Sequence, residues 1–174
     1  MRKKRNRRSQ AYEAKLITSN DPKSPISEAF RTIRTNIEFS GIDAQIKSIL
    51  VTSTTPAEGK STIAANLGVS MAAAGRRVLL IDGDLRNPTI GKFFPTSSHV
   101  GLTNLLLDDK LGWEEAITCP GQENLYLLAS GPTPPNPAEL IGSAKMRAFI
   151  KTMTEAFDVV LVDSPPVLAV ADAS

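Results

Sequence analysis

Apolar runs separated by helical-period segments set the frame of this chain. Residues 46–53, 77–82 and 157–163 each carry a short, nearly continuous apolar stretch that ends in small polar or acidic residues. Runs of this length read as strands covered on both faces, as in parallel sheets. Residues 124–130 hold a further strand, Leu125-Tyr126-Leu127-Leu128. Between the runs the period changes. Phe30, Ile33 and Ile37 predict a helix that starts near Ser27 as N-cap and buries one face. Residues 61–74 predict a helix whose Ala64, Ala65, Gly68, Ala72, Ala73 and Ala74 allow close packing, with Gly75 as its stop. Met146, Phe149, Ile150 and Met153 form the apolar set of a helix over 145–156. Shorter helices are expected at 101–107 and 113–117, with Trp113 as a packing residue. Asn136-Pro137-Ala138-Glu139 reads as a helix start, with Asn136 as N-cap and Glu139 reaching back as in a capping box. Alternating strands and helices predict an α/β fold with a parallel sheet and helices on both faces. Residues 1–24 lack such periodicity and read as a disordered tail ahead of one domain, 25–174.

Composition narrows the function classes. The 174 residues are 41% hydrophobic, enough for one domain with a core. One cysteine, Cys119, excludes an intrachain disulfide, and one histidine, His99, leaves no His/Cys metal cluster to build. The cytosol is the natural compartment. No apolar run approaches the roughly 18 residues of a membrane span. The basic start has no apolar stretch behind it and is not a secretory signal.

The net charge of +2 hides an asymmetry. Six of the 20 basic residues lie in the first eight positions, which leaves 14 against 18 acidic residues, a net of −4, for the remainder. Three readings of the basic tail stay open: a solvated charge run, a nucleic-acid arm, or a segment lying on an anionic membrane. The absence of interleaved aromatics weakens the second. On the third, each Lys or Arg is worth roughly 1 kcal/mol.

The candidate chemistry begins after the first strand. Thr54-Thr55-Pro56-Ala57-Glu58-Gly59-Lys60-Ser61-Thr62 reads as a phosphate-binding loop opening a helix, with Thr54 in the place of the usual first glycine. Consecutive amides and a helix N-terminus would cradle phosphates. Lys60 would reach the β and γ phosphates, and the Ser61 hydroxyl would hold Mg²⁺. Asp82 and Asp84 sit two apart at the end of the second strand, and Asp163 ends the third. Carboxylates at strand C-termini lie where open α/β sheets bind ligands. One Lys/Ser loop and three such carboxylates specify a Mg²⁺-nucleotide site, and one carboxylate could accept the proton of an attacking hydroxyl. Glu28, Arg31 and Arg34 recur every third residue along the first helix. Spacing alone favours a solvated surface pair over a stripe that contacts another subunit.

Several ordered motifs resemble the bacterial tyrosine kinases, a P-loop family unrelated in fold to eukaryotic protein kinases. Glu28-x-x-Arg31-x-x-Arg34 with Thr35-Asn36-Ile37-Glu38-Phe39 is similar to that family's oligomerisation helix. Thr52 to Ser61 resembles its variant Walker A, in which the first glycine is missing; Leu79 to Pro88 resembles Walker A′ and Val159 to Pro166 Walker B. Ser130 to Leu140 also looks like the family. The type with the kinase on a separate chain from its transmembrane activator is the nearest. The resemblance implies ATP and Mg²⁺, Asp82 as base for a tyrosine hydroxyl, and Asp84 and Asp163 as organisers of the metal and its waters. It implies a ring-like homo-oligomer packed through Glu28, Arg31 and Arg34, reversing the reading from spacing. It implies autophosphorylation, protein tyrosine substrates, a cognate phosphatase and a transmembrane co-polymerase subunit at the inner membrane face. The expected process is exopolysaccharide or capsule production, with no nucleic acid. Family members continue past Asp172 into further strands and a tyrosine cluster, whereas here only Tyr12 and Tyr126 occur. The chain is therefore expected to be truncated, and to bind nucleotide weakly or fold poorly alone. The alternatives are a partition or cell-division ATPase, disfavoured because Thr55 stands where that group carries an extra lysine, and a non-catalytic assembly module.

Overall fold

The computed structural model describes residues 11–41, 45–94 and 100–167. The basic run at 2–8, His99 and the end at Ser174 lie outside the described residues. The elements in chain order are α1 (Ile17–Asn20), α2 (Pro25–Ser40), β1 (Ser48–Val51), α3 (Lys60–Ala72), β2 (Val78–Asp82), α4 (Ile90–Phe93), α5 (Leu102–Leu107), α6 (Trp113–Ala116), β3 (Ile117–Thr118), β4 (Leu125–Leu128), α7 (Pro137–Ile141), α8 (Ala144–Ala156) and β5 (Val159–Asp163).

The strands form one sheet in the order β1-β5-β2-β4-β3. β1, β5, β2 and β4 run parallel, and β3 closes the far edge antiparallel to β4. Successive side chains of a strand face opposite sides, and the core divides accordingly. Val78, Leu80, Leu125, Leu127 and Leu161 face one apolar layer with Ala64, Ala65 and Leu67 of α3. Leu79, Ile81, Leu128, Val160 and Val162 face a second layer with Met146 and Met153 of α8. β2 and β5 are buried at every position, so the expected α/β sheet with helices on both faces is present. The small residues of α3 serve close packing: a Cβ on Gly68 would already stand 3.4 Å from Leu161 Cδ1.

Several expectations need correction. Among the described residues β1 is an edge strand of the sheet and is covered on one face, not on both. Ile49 and Val51 pack toward the α3 layer, while Leu50 is 65% exposed on the other face. α8 covers that other face over β5, one strand further in. α2 is capped by Ser24, whose Oγ accepts the Ser27 N–H at 3.1 Å. Pro25 can then take the first helical position, where its missing N–H costs nothing. Ser27, expected as the cap, is buried and donates to the Asp21 carbonyl at 2.7 Å. Phe30 and Ile37 pack against the core, but Ile33 is 42% exposed. Asn136 bonds the Glu139 side chain at 3.1 Å and makes no backbone cap, so the capping box does not form.

The largest correction concerns the N-terminal segment. Residues 11–24 are packed on the domain. Leu16 is buried in the α3 layer. Asn66 of α3 accepts both the Thr18 N–H and the Thr18 hydroxyl at 3.0 Å and donates to the Lys15 carbonyl at 2.9 Å. A buried side-chain amide with all its capacity used fixes this strap in one register.

Candidate functional site

The site is assembled by strand register. Val51 and Asp82 both stand opposite Asp163, so β1, β5 and β2 end side by side. Gly83 permits the tight exit from β2. Its N–H donates to the Asp163 carbonyl at 2.8 Å, and a Cβ there would sit 2.8 Å from that oxygen. The loop leaving β1 therefore faces the carboxylates leaving β2 and β5.

The loop runs through Ala57 and Gly59, both with positive φ, into α3. Gly59 is the N-cap and supplies no side-chain acceptor, and the first intrahelical bond is Ile63 N–H to Gly59 carbonyl at 2.9 Å. The amides of the first turn have no helical partner, which leaves an uncapped helix start suited to an anion. The earlier half of the loop differs from expectation. Thr54 and Thr55 donate their N–H groups to Glu58 Oε2 at 2.9 and 3.2 Å, and the Thr55 hydroxyl donates to Glu58 Oε1 at 2.8 Å. These hydrogen bonds, that of the Thr55 hydroxyl foremost, hold the Glu58 carboxyl below its ordinary value. Glu58 thus shapes the loop, and the amides beyond it are left for phosphate.

Behind the loop lies a buried polar cluster. Lys60 Nζ stands 3.1 Å from Asp84 Oδ2 and 3.8 Å from Asp163 Oδ1. The Ser61 hydroxyl donates to Asp163 Oδ2 at 2.5 Å. Burial raises the Asp163 carboxyl, opposed by the Ser61 hydrogen bond and the Lys60 charge. Asp84 Oδ1 accepts the Asn87 N–H at 3.0 Å, so both its oxygens are engaged. Asp82 Oδ2 accepts the N–H groups of Thr89 and Ile90, each at 2.9 Å. Its Oδ1 is buried with no hydrogen-bond partner among the described residues. Burial above all, then repulsion from Asp163, pushes Asp82 up to about 7; the two amides oppose the rise and Asp84 adds a little to it.

Lys60, Ser61 and Asp84 border a cleft of ≈ 480 Å³, lined also by Gly59, Thr62 and Arg86 among others, while Asp82 and Asp163 are buried behind that lining. Residues the sequence reading missed also line it: Tyr12, Lys15 and Thr89. Thr89 belongs to the turn after Asn87-Pro88, and an aromatic residue in a polar stretch was the only signal for Tyr12. The donor set fits a magnesium ion. Ser61 turns its proton to Asp163 and keeps its lone pairs outward, and Asp163 Oδ1, 3.8 Å from Lys60 Nζ, is a buried acceptor with no hydrogen bond among the described residues. Among the described residues no group of three or more His, Cys, Asp or Glu side chains could hold a metal ion by itself.

The Glu28, Arg31 and Arg34 stripe lies elsewhere. Glu28 pairs with Arg31, Arg31 Nη2 donates to the Pro22 carbonyl at 2.6 Å, and Arg34 Nη1 donates to the Ser70 carbonyl at 3.0 Å. Arg31, Arg34 and Ser70 line a separate recess of ≈ 310 Å³.

Comparison with known proteins bears on this geometry. The profile of the AAA domain family matches residues 46–173. Tyrosine-protein kinase YwqD of Bacillus subtilis (strain 168) is 49% identical over 169 residues, covering 97% of this chain and 71% of that protein. The crystal structure of the chimerical protein CapA2B2 superposes with a TM-score of 0.85 at 45% identity, over 92% of this chain and 70% of that one. The septum site-determining protein MinD complexed with Mg-ADP, from Pyrococcus horikoshii OT3, is more distant: TM-score 0.58 and 28% identity over 68% of this chain and 48% of that one. A P-loop nucleotide-binding fold, a buried Lys/Ser/Asp cluster and close kinship with such enzymes agree: the chain belongs to the bacterial tyrosine-protein kinase family.

Proposed function

We propose that this chain transfers the γ-phosphoryl group of ATP to tyrosine hydroxyls, with Asp82 as the base. The observation that carries the proposal is the state of Asp82. One oxygen is fixed by two amides, the other has no hydrogen-bond partner among the described residues, and burial pushes the carboxyl up to about 7. A base with a pKa near the working pH combines a useful ionised fraction with enough basicity. The phenolic oxygen attacks the γ phosphorus, the bond to the bridging β–γ oxygen breaks, and ADP leaves with that electron pair. The phenolic proton passes to Asp82 Oδ1. Lys60, now paired with Asp84, would exchange it for the phosphates, which would leave the Asp84 carboxylate as an acceptor for water bound to Mg²⁺. Ser61 and Asp163 would hold Mg²⁺, whose chemistry is charge neutralisation on the β and γ oxygens. The amides of Gly59 to Thr62 hold the phosphates in line.

Around this reaction we place a ring of copies packed through Glu28, Arg31 and Arg34, and a transmembrane co-polymerase partner that recruits the chain to the inner membrane face. Protein tyrosine substrates and a cognate phosphatase complete the cycle, within exopolysaccharide or capsule production. The test is incubation with Mg²⁺-ATP and the partner's cytoplasmic tail, read by phosphotyrosine. Lys60→Ala and Asp82→Asn are each expected to lower the rate by about 10²-fold or more. ATP hydrolysis without phosphotyrosine on any added or co-expressed protein would point to a partition-type ATPase instead. Loss of assembly in Arg31→Ala and Arg34→Ala, with Lys60→Ala silent, would mark a scaffold.

A further inference from the structure

The chain contains two tyrosines, and the fold treats them differently. Tyr126 lies on β4 in the second apolar layer, with its ring 5.2 Å from that of Phe157. Tyr12 lines the same cleft as Lys60, Ser61 and Asp84. Its ring stands edge-on to Phe93 at 5.1 Å. The ammonium groups of Lys15 and Lys92 lie 5.0 and 5.7 Å from its centroid.

The position relative to Asp82 follows from α4. The first residue of that helix, Ile90, donates its N–H to Asp82 Oδ2, and the last, Phe93, carries the Tyr12 ring. At about 1.5 Å rise per residue, the backbones of these two residues lie about 4.5 Å apart along the helix. Tyr12 is also held there. Leu16 is buried four residues on, and Asn66 clamps Lys15 and Thr18. The strap thus seats a phenol beside the phosphate loop.

We propose that Tyr12 is a phosphorylation site of this chain, modified in the cleft that it lines. The inference rests on the kinase reading above. The Tyr12 oxygen forms the new bond to the γ phosphorus, the β–γ bridging bond breaks, and ADP departs with the electron pair. The phenolic proton goes to Asp82. The product is a phosphate of charge about −2 on a ring that two ammonium groups already face, and positive charge beside it favours the phosphorylated form.

The experiment uses Tyr126→Phe, which leaves Tyr12 as the sole tyrosine. The variant and the unmodified chain are incubated with Mg²⁺-ATP, the partner's cytoplasmic tail and a random Glu/Tyr copolymer, and phosphorylated peptides are mapped. Phosphate is expected on Tyr12 in both proteins, at a first-order rate unchanged by tenfold dilution. A rate that falls with dilution would assign the transfer to a second copy and overturn modification within the chain's own cleft. Phosphorylated copolymer with unmodified Tyr12 overturns the acceptor role and leaves the kinase reading standing. If neither is phosphorylated, the kinase reading fails and this inference fails with it.

Discussion

Asp82 ends β2, where the buried strand hands its last side chain to the loop. The hydrophobic run before it guarantees burial, and burial is the main cause of its raised pKa. Two predictions follow from one sign. As the base, Asp82 must be ionised, so kcat/KM should rise about tenfold per pH unit below 7 and level off above it. A flat profile from pH 5.5 to 8 would remove Asp82 from that role. For stability the sign is opposite. The folded-state pKa lies above the unfolded one, so the folded state binds the proton more tightly. Stability is fully present below the unfolded value near 3.8 and declines as pH rises through about 7. Asp82→Asn keeps an acceptor for the Thr89 and Ile90 amides and removes the buried charge. It should raise the melting stability at pH 8 by on the order of 2 kcal/mol while lowering the transfer rate by about 10²-fold or more. Unchanged or lower thermal stability at pH 8 would contradict the burial argument.

At the element scale, local chemistry was most readable where one segment sufficed. The run from Gly59 into α3 announces a phosphate loop because the glycine, lysine and hydroxyl act through their own backbone. The start of α2 was harder, since Ser24 and Ser27 are both competent caps. Pro25 decides for Ser24, and Ser27 is drawn inward by the Asp21 carbonyl. The 11–24 strap was not readable. Its polar residues are satisfied by Asn66, a residue far along the chain, and no period in the strap itself reveals this. α5 offers a test of close backbone approach. A Cβ on Gly101 would lie 2.3 Å from Gly131 N and 2.5 Å from the Ala129 carbonyl oxygen. Both are backbone atoms that no rotamer change relieves. Gly101→Ala should cost roughly 2 kcal/mol or more in urea unfolding, as overpacking in a tight contact does. A cost below about 0.5 kcal/mol would show that the connector at Gly131 yields.

For the whole molecule, strand order is what makes a site. β1, β5 and β2 are neighbours although β5 is last in sequence, and their register brings Asp163 between the phosphate loop and Asp82. The same order leaves β1 at an edge with Leu50 exposed. A ligand that binds this assembled corner should stabilise the entire fold. At Mg²⁺-ADP a hundredfold above its dissociation constant the gain is about 2.7 kcal/mol, read as a concentration-dependent rise in Tm. Lys60→Ala should lose most of that rise. An equal rise in the variant would place the nucleotide elsewhere.

The sequence by itself determined the buried strands β2 and β5, the phosphate loop, the three carboxylates at strand ends and the α/β class, because each depends on short-range periodicity or backbone chemistry. Among the described residues, tertiary structure alone decided which strand lies at the edge, which oxygen of Asp82 has no hydrogen-bond partner, how Glu58 occupies the early loop amides, and that Tyr12 stands in the cleft. Those outcomes depend on register and on partners distant in sequence, such as Asn66 for the strap and Thr89 for Asp82, and no local pattern encodes such pairings.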